Sequence, residues 1–484
     1  MPLNTMQKNN AEAYRFDPTI LREYDIRGQI GKNLSEDDAY ALGRAFGTHV
    51  SREMGLQGKG GKICVGYDGR LSSPALAEKL IAGLMACGHA VVSVGLGPTP
   101  MLSFSIKHLQ ADAGIMVTGS HNPSDYNGFK MTMKRGPVFG AEIQKIGAVA
   151  QSGDFENGQG RAEFLDIQDQ YVARLMQDFT GLSALGRRVL KVGWDAGNGA
   201  AGEILRRLVK KLPGEHILLF DEIDGTFPNH HPDPTVDKNL RDLQNTVQQN
   251  GCDLGIAFDG DGDRIGVVDE NGTVLRCDIL MTIYAKDVLK RHPGAAIIGD
   301  VKCSEVMFNE IARLGGKPVM WKTGHSLIKD KMAELKAPLA GELSGHIFFA
   351  DQYYGYDDAL YCAVRLLNAV CASDGALSTL TQNLPKLYNT PEVRIDVEED
   401  KKFGIVPQLI ANIQANLPAG MSLNDIDGIR ISADHGWWLL RPSNTQAVLV
   451  FRAESASAQG LEDLKNMALR EVRKLGYDLV FPSE

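Results

Sequence analysis

The sequence predicts three similar α/β domains with mixed sheets, followed by a smaller α+β C-terminal domain. Three observations predict it. A short apolar strand ending in aspartate recurs three times, each time followed by a loop, an amphipathic stretch and another short apolar run. The chain has 484 residues, too many for one ordinary domain and enough for roughly three or four. Aromatic residues make up only 7% while glycine occurs 52 times, a balance that suits many strand-to-helix turns better than a β-sandwich.

The first repeat begins at Lys62–Asp68 (KICVGYD), passes a Gly/Ser loop into a helical stretch from Pro74 to Ala86, and returns through AVVSVG. The second begins at Leu190–Asp195 (LKVGWD), passes AGNGAAG into a helical stretch from Glu203 to Lys211, and returns through HILLF. The third begins at Ala295–Asp300 (AAIIGD), passes VKCS into a helical stretch from Glu305 to Leu314, and returns through KPVMW. Each is a βαβ-like start with a loop at a strand's C-terminal end, where α/β folds bind ligands. From about Thr390 the pattern changes to strand (PEVRIDVEE), helix (FGIVPQLIANIQANL), three strands (DGIRISA, GWWLLRPS, AVLVFRAES) and a final helix (GLEDLKNMALREVRKLG). That order predicts an antiparallel sheet with helices on one face. The expected domains are 1–165, 166–273, 274–387 and 388–484, with SGDFENGQGR marking the first connection near Gly160.

The formal net charge is −9 and there is no dense Lys/Arg run, which argues against a nucleic-acid partner. No apolar run approaches the roughly 20 residues a membrane span needs, and the first residues lack the apolar core of a secretory signal. A cytoplasmic location is therefore expected. Seven scattered cysteines without a CxxC pair read as free thiols.

Two loops carry most of the chemistry. Ala113–Met131 reads AGIMVTGSHNPSDYNGFKM, so an apolar strand breaks at Thr118-Gly119 and Ser120 sits in a tight loop, with Lys130 on the next short strand. A serine exposed near a cation can act as a nucleophile or carry a phosphoryl group. The same residues also suit a plain turn, or a Ser-His-Asp hydrolase, although the G-x-S-x-G elbow is absent. Leu254–Asp269 reads LGIAFDGDGDRIGVVD, with Asp259, Asp261 and Asp263 alternating with glycines between strand-like flanks. Three neighbouring carboxylates need a cation among them, and hard oxygen ligands suit Mg²⁺ or Ca²⁺. An EF-hand is disfavoured because Arg264 stands where the loop's sixth residue should be glycine and the flanks are not helical. A solvated acidic hairpin is the other reading.

Two further loops have polar residues that can converge on a ligand. Glu342, Leu343, Ser344, Gly345 and His346 (ELSGH) can meet sugar hydroxyls or form a turn with a buried histidine. Arg441, Pro442, Ser443, Asn444 and Thr445 (RPSNT) can form a phosphate cradle or an Asn-containing turn. Trp437 and Trp438 read as packing. Arg27 (REYDIRG), Lys302 (DVKCS) and His325 (KTGHS) carry weak signals alone, and His230-His231 lies in a proline-rigid loop unsuited to a metal.

Taken together, TGSHNP, DGDGDR, GELSGH and RPSNT, in that order, resemble the α-D-phosphohexomutase family over nearly the whole chain, from YDIRG onward. The resemblance implies four domains around a central cleft. It implies that Ser120 is a phosphoserine whose phosphate completes a metal site, with one Mg²⁺ held by Asp259, Asp261 and Asp263. His121, Asn122 and Arg264 support that loop, and Glu342–His346 form the sugar loop. Arg441–Thr445 form the distal phosphate loop, and Tyr24, Arg27, Lys130, Lys302 and His325 line the cleft. The implied activity is reversible exchange of hexose 1-phosphate and hexose 6-phosphate of mannose or glucose through a 1,6-bisphosphate, with a glucose 1,6-bisphosphate-type activator. Lys130 and His346 are the candidate general bases. Phosphosugars are the expected partners, and a monomer or weak homodimer the expected assembly. Gln446-Ala447 departs from the acidic residue and proline that many members carry, and Leu343 departs from the glutamine of glucosamine-type loops. A phosphoglucosamine mutase and a metal-dependent sugar phosphatase are the rival activities.

Overall fold

The computed structural model describes residues 13–56, 60–180, 189–373, 375–398, 401–443, 448–477 and 480–481. They form two compact units, Met1–Leu275 with Ser344–Ser378, and Arg276–Leu343 with Thr379–Glu484.

The first unit holds two sheets. The larger has the order Ile26–Gln29, Tyr126–Met133, Ala113–Val117, Lys62–Tyr67, Ala90–Leu96 and Arg161–Phe164, with Gly136–Pro137 beside Tyr126–Met133. Lys62–Tyr67 runs parallel to both its neighbours, whereas Tyr126–Met133 is antiparallel to both of its own. The sheet is therefore mixed. Ala113–Val117 is buried throughout, which explains why its sequence is a continuous apolar run and does not alternate. Helices cover the sheet because their starts are well defined. Ser35 and Asp38 make a reciprocal capping box for Glu36–Glu53, and Pro74 sits in the first turn of Ser73–Ala86.

The second sheet has the order Val274–Leu275, Ile265–Asp269, Leu254–Phe258, Lys191–Asp195 and Glu215–Leu219. Leu254–Phe258 and Ile265–Asp269 form an antiparallel hairpin, so the aspartate loop joins two strands and not two helices. Trp194 packs within this sheet, stacked on Phe258 at 6.3 Å.

In the second unit, Lys317–Trp321, Ala296–Asp300 and Leu339–Gly341 run parallel. The C-terminal sheet is antiparallel, with the order Tyr388–Asn389, Val448–Ser455, Gly436–Pro442, Ile429–Ala433 and Ser422–Asn424, and with Val393–Asp396 also paired to Val448–Ser455. One face carries Ile431, Trp438, Leu440 and Phe451 against Leu409 and Leu464 of the helices Lys402–Gln414 and Ala458–Arg473. The other face carries Trp437 and Leu439, packed with Val301. Both tryptophans are thus packing residues, as the alternation of GWWLL implies.

The helices expected at Pro74–Ala86, Glu203–Lys211 and Glu305–Leu314 appear as Ser73–Ala86, Gly202–Val209 and Glu305–Arg313. Among the described residues no helix is long and apolar enough to cross a membrane.

Candidate active site

Ser120 follows the buried strand Ala113–Val117 and is itself buried, with φ of +48°. A residue with a side chain costs about 1–2 kcal/mol in that left-handed region, so the loop must be held by other contacts. Ser120 N–H donates to Thr118 Oγ1 at 2.8 Å, and Asn122 N–H donates to the Gly119 carbonyl at 3.0 Å. Arg27, from the strand Ile26–Gln29, donates to the Gly119 carbonyl and to Asn122 Oδ1, and pairs with Asp25. The Ser120 hydroxyl donates to Asp259 Oδ2 at 3.1 Å and lies 3.2 Å from His121 Nδ1. Burial, then the nearby Arg264 and Arg27 cations, pushes the His121 imidazole well below its ordinary pKa, so it is neutral.

The aspartate loop meets the serine loop directly. A Cβ on Gly260 would lie 2.4 Å from the Ser120 carbonyl oxygen, so only glycine permits this approach. All three carboxylates are buried. Each has one oxygen fixed by protein donors. Asp259 Oδ1 accepts the N–H groups of Asp263 and Arg264. Asp261 Oδ2 accepts Thr99 Oγ1 at 2.5 Å, Thr118 Oγ1 at 3.2 Å and Lys130 Nζ at 2.7 Å. Asp263 Oδ2 accepts Lys130 Nζ at 2.5 Å. The second oxygens of Asp261 and Asp263 have no hydrogen-bond partner, and the second oxygen of Asp259 faces the Ser120 hydroxyl.

Three carboxylates, each offering an oxygen within 4.8 Å of the others, form an acidic group that can hold a metal ion. Two buried carboxylate oxygens without donors would be costly unless a cation met them, so the residues fit such an ion. This buried group is not the solvated hairpin of the alternative reading. Burial and the neighbouring Asp261 and Asp263 charges raise the pKa of Asp259. Burial also opposes the charge of Asp261, but Lys130 and Thr99 overcome it and hold that carboxyl low. Burial likewise opposes the Lys130 charge, yet the same carboxylates hold its ammonium protonated.

His346 enters the same cluster. Arg264 and His346 form a backbone bridge, and Arg264 Nε donates to His346 Nε2 at 3.0 Å. An arginine can only donate, so Nε2 is the lone-pair nitrogen and Nδ1 carries the proton. Nδ1 lies 3.0 Å from Asp357 Oδ2 and 3.4 Å from Asp263 Oδ1. Tyr24 is half-buried just before the strand Ile26–Gln29.

Ser344 and Gly345 begin the first-unit segment that carries His346, and the Gly345 carbonyl accepts the Ile265 N–H at 3.1 Å. Lys302, His325, Glu342, Leu343 and Arg441 belong to the second unit, most of them in one network. Asp300, at the end of Ala296–Asp300, accepts Leu343 N–H on Oδ1 at 3.3 Å and Thr323 Oγ1 on Oδ2 at 3.1 Å. Thr323 N–H donates to Asp427 Oδ2, and Arg441 grips the same carboxylate through Nε at 2.9 Å and a terminal nitrogen at 3.3 Å. Glu342 accepts the Gly324 N–H, which places it at the start of the helix His325–Leu335. Lys302 Nζ lies 3.2 Å from Glu392 Oε2 and 3.8 Å from Asp300 Oδ2. Pro442 ends the strand Gly436–Pro442, and Ser443 N–H donates to the Val448 carbonyl. Asn444 and Thr445 lie outside the described residues. His230 pairs with Asp195 at 3.0 Å.

Four family models match this chain in order. They are the phosphoglucomutase/phosphomannomutase α/β/α domain I over residues 18–157, domain II over 169–272, domain III over 276–388 and the C-terminal domain over 392–471. The chain belongs to the phosphoglucomutase/phosphomannomutase family. It is 43% identical over 465 residues to a protein named phosphomannomutase/phosphoglucomutase from Pseudomonas putida, covering 96% of this chain and 97% of that one. It is 39% identical over 466 residues to a phosphoglucomutase from Neisseria meningitidis serogroup A, covering 96% and 98%. A crystal structure of a phosphoglucomutase/phosphomannomutase family protein from Burkholderia thailandensis superposes with a TM-score of 0.88 at 41% identity, covering 97% of this chain and 100% of that one.

Several residues of this family member's site escaped sequence reasoning. Asp68, Arg70, Thr99, Thr118 and Asp357 all touch the serine loop, the aspartates or His346. Asp68 was visible as a strand-terminal aspartate, and Arg70 stands two residues beyond it, as Lys302 does beyond Asp300. Thr99 and Asp357 carry no local sequence signal, because only the tertiary fold brings them to the loop.

Proposed function

We propose that this chain is a phosphohexomutase that interconverts hexose 1-phosphates and hexose 6-phosphates of mannose, glucose or both, through phospho-Ser120 and a hexose 1,6-bisphosphate. One observation carries the reading. The Ser120 hydroxyl donates to Asp259, one of three buried aspartates that together can hold a metal ion, and the inward oxygens of Asp261 and Asp263 have no hydrogen-bond donor. A turn serine needs no such surroundings, and the hydrolase alternative lacks the G-x-S-x-G elbow around Ser120.

Asp259, Asp261 and Asp263 would hold Mg²⁺, together with a phosphoserine oxygen. A bound ion there supplies charge compensation for the phosphoryl group. In transfer, the Ser120 Oγ–P bond breaks as a sugar hydroxyl oxygen bonds to the same phosphorus. The hydroxyl proton moves to a base. His346 suits that role better than Lys130, because the Lys130 ammonium is bound to two carboxylates while His346 Nε2 carries a lone pair. That nitrogen must exchange its Arg264 contact for the substrate hydroxyl. Arg27 and Lys130 offset charge around the phosphoserine, and His121, Asn122 and Arg264 hold its loop. Glu342, Leu343, Ser344 and Gly345 meet the sugar, with Tyr24, Lys302 and His325 beside it. Arg441–Thr445 hold the phosphate that is not reacting. Leu343, where glucosamine-type loops carry glutamine, favours mannose or glucose over an amino sugar. A cytoplasmic enzyme, monomeric or a weak homodimer and activated by glucose 1,6-bisphosphate, fits this chemistry.

The test is a coupled assay with mannose 1-phosphate, glucose 1-phosphate and glucosamine 1-phosphate, with and without glucose 1,6-bisphosphate and Mg²⁺. Ser120→Ala is expected to lower kcat by about 10³-fold or more. Intact mass should show one phosphoryl group on the wild type and none on Ser120→Ala. An active Ser120→Ala enzyme would overturn the mechanism. Release of inorganic phosphate without isomerisation would assign the phosphatase activity instead.

A further inference from the structure

The serine loop has a second, inner support that the chemistry above does not use. Arg70 is buried beneath it, at 1% exposure. Its guanidinium donates to the carbonyls of Ser120 at 2.7 Å, Asn122 at 2.6 Å and Tyr126 at 2.9 Å, and to that of Pro123. Its Nε donates to Asp68 Oδ2 at 3.2 Å. Asp68 Oδ2 also accepts Gly119 N–H at 3.0 Å and Thr118 Oγ1 at 2.8 Å, and Oδ1 accepts Ser73 Oγ and the Arg70 N–H. Phe227 closes the far side of the guanidinium at 5.1 Å.

Four backbone carbonyls from one loop do not converge in an apolar interior unless a cation gathers them. The arginine fork suits the task because it is planar, always charged and carries donors on both edges. Because Arg70 holds the Ser120 carbonyl, the residue keeps its left-handed backbone and its hydroxyl stays on the Asp259 side of the loop. We infer that Arg70, anchored by Asp68, is a positioning residue that holds Ser120 in line for phosphoryl transfer in both its free and phosphorylated forms. The inference rests on the phosphoserine reading above. Arg70 touches no substrate; it acts through the backbone of the nucleophile.

Arg70→Lys is the discriminating variant in the full chain, since it keeps the charge but cannot reach four carbonyls at once. Turnover is expected to fall about 100-fold, with KM for glucose 1-phosphate within about threefold of wild type. The rate of Ser120 phosphorylation by glucose 1,6-bisphosphate, followed by intact mass, should fall in proportion. In Arg70→Ala, about 20 mM guanidinium, well below denaturing levels, should restore turnover by about tenfold. All rates are taken per folded molecule, from circular dichroism and thermal melting. Turnover of Arg70→Lys within about threefold of wild type would overturn the inference, as would a loss accounted for entirely by unfolded protein. Ser120→Ala, run alongside, separates the two claims. If it is active, the phosphoserine reading falls. If it is inactive while Arg70→Lys behaves as wild type, only the positioning role falls.

Discussion

At the end of the strand Lys62–Tyr67, Asp68 is followed two residues later by Arg70; at the end of Ala296–Asp300, Asp300 is followed two residues later by Lys302. Both aspartates accept an N–H from a neighbouring loop, Gly119 at 3.0 Å in one case and Leu343 at 3.3 Å in the other. The cations then diverge. Arg70 gives its side-chain donors to backbone carbonyls and to Asp68. Lys302 keeps a compact ammonium between Glu392 and Asp300. In the middle repeat Gly197 stands at that place, and Asp195 holds His230 instead. The strand-terminal aspartate is thus a common device for fixing a loop. The residue two positions on differs: in one repeat an arginine clamps a loop from beneath, in the other a lysine sits between two carboxylates.

The largest expected effect separates the two aspartates. Asp68→Ala leaves the buried Arg70 cation without its anchor, which costs about 3–5 kcal/mol and lowers the melting temperature by roughly 6–15 °C. Turnover should fall about 100-fold with it, because Ser120 loses its alignment. Asp300→Ala should act mainly on KM, by about tenfold, on the proposal that its loop meets the sugar and not the transferring atoms. Steady-state kinetics and thermal melting on both variants check this. The same split of kcat and KM in both would break the comparison.

The division of labour also explains what could be read from the sequence. The repeated strand–Asp–loop–helix units were legible because apolar runs and strand-end aspartates are local patterns. The aspartate triad was legible because its three carboxylates share one loop. The family resemblance names Lys302 as a cleft residue but not Arg70, at the equivalent spacing, since nothing in DGR says that four carbonyls will gather around it. Thr99 reaches Asp261 across 162 residues of chain, and Asp357 reaches His346 only after the loop following Ile347–Phe349 turns back. Such partners follow from packing and leave no periodic trace. Lys130 shows the opposite case. Its position beside the serine loop was foreseen, but its pairing with Asp261 and Asp263 was set by the approach of the second sheet's hairpin.

Glycines sharpen the contrast at smaller amplitude. A Cβ on Gly119 would lie 2.2 Å from Arg70 Nε and 2.3 Å from its central carbon. That guanidinium is fixed on several sides and cannot step aside. Gly119→Ala should therefore destabilise by about 2–3 kcal/mol and lower turnover. A Cβ on Gly299, the residue before Asp300, would meet the Met307 methyl at 2.1 Å, the mobile end of a flexible side chain. Gly299→Ala should cost less than about 1 kcal/mol by thermal or urea unfolding. Equal costs would mean that Arg70 is no more rigid than a methionine, and the clamp would lose its basis.

The smallest effect concerns the exposed side of the Lys302 pair. Lys302, against the opposing pull of burial, draws the Glu392 carboxyl down to about 2. A carboxyl whose folded pKa is depressed stabilises the fold fully above its ordinary value of 4.5, and that contribution disappears as pH falls toward 2. The Glu392 side chain is 29% exposed, so water screens the pair and the contribution is on the order of 1–2 kcal/mol. Wild type should therefore lose melting temperature between about pH 5 and pH 3 by more than Lys302→Met does, with the two curves converging at the acid end. Lys302→Met should also raise KM by about tenfold while leaving kcat nearly unchanged. Parallel pH curves would show that Lys302 does not hold Glu392. A fall in kcat without a change in KM would place Lys302 with Arg70 among the groups that align the reaction, and the contrast between the two repeats would vanish.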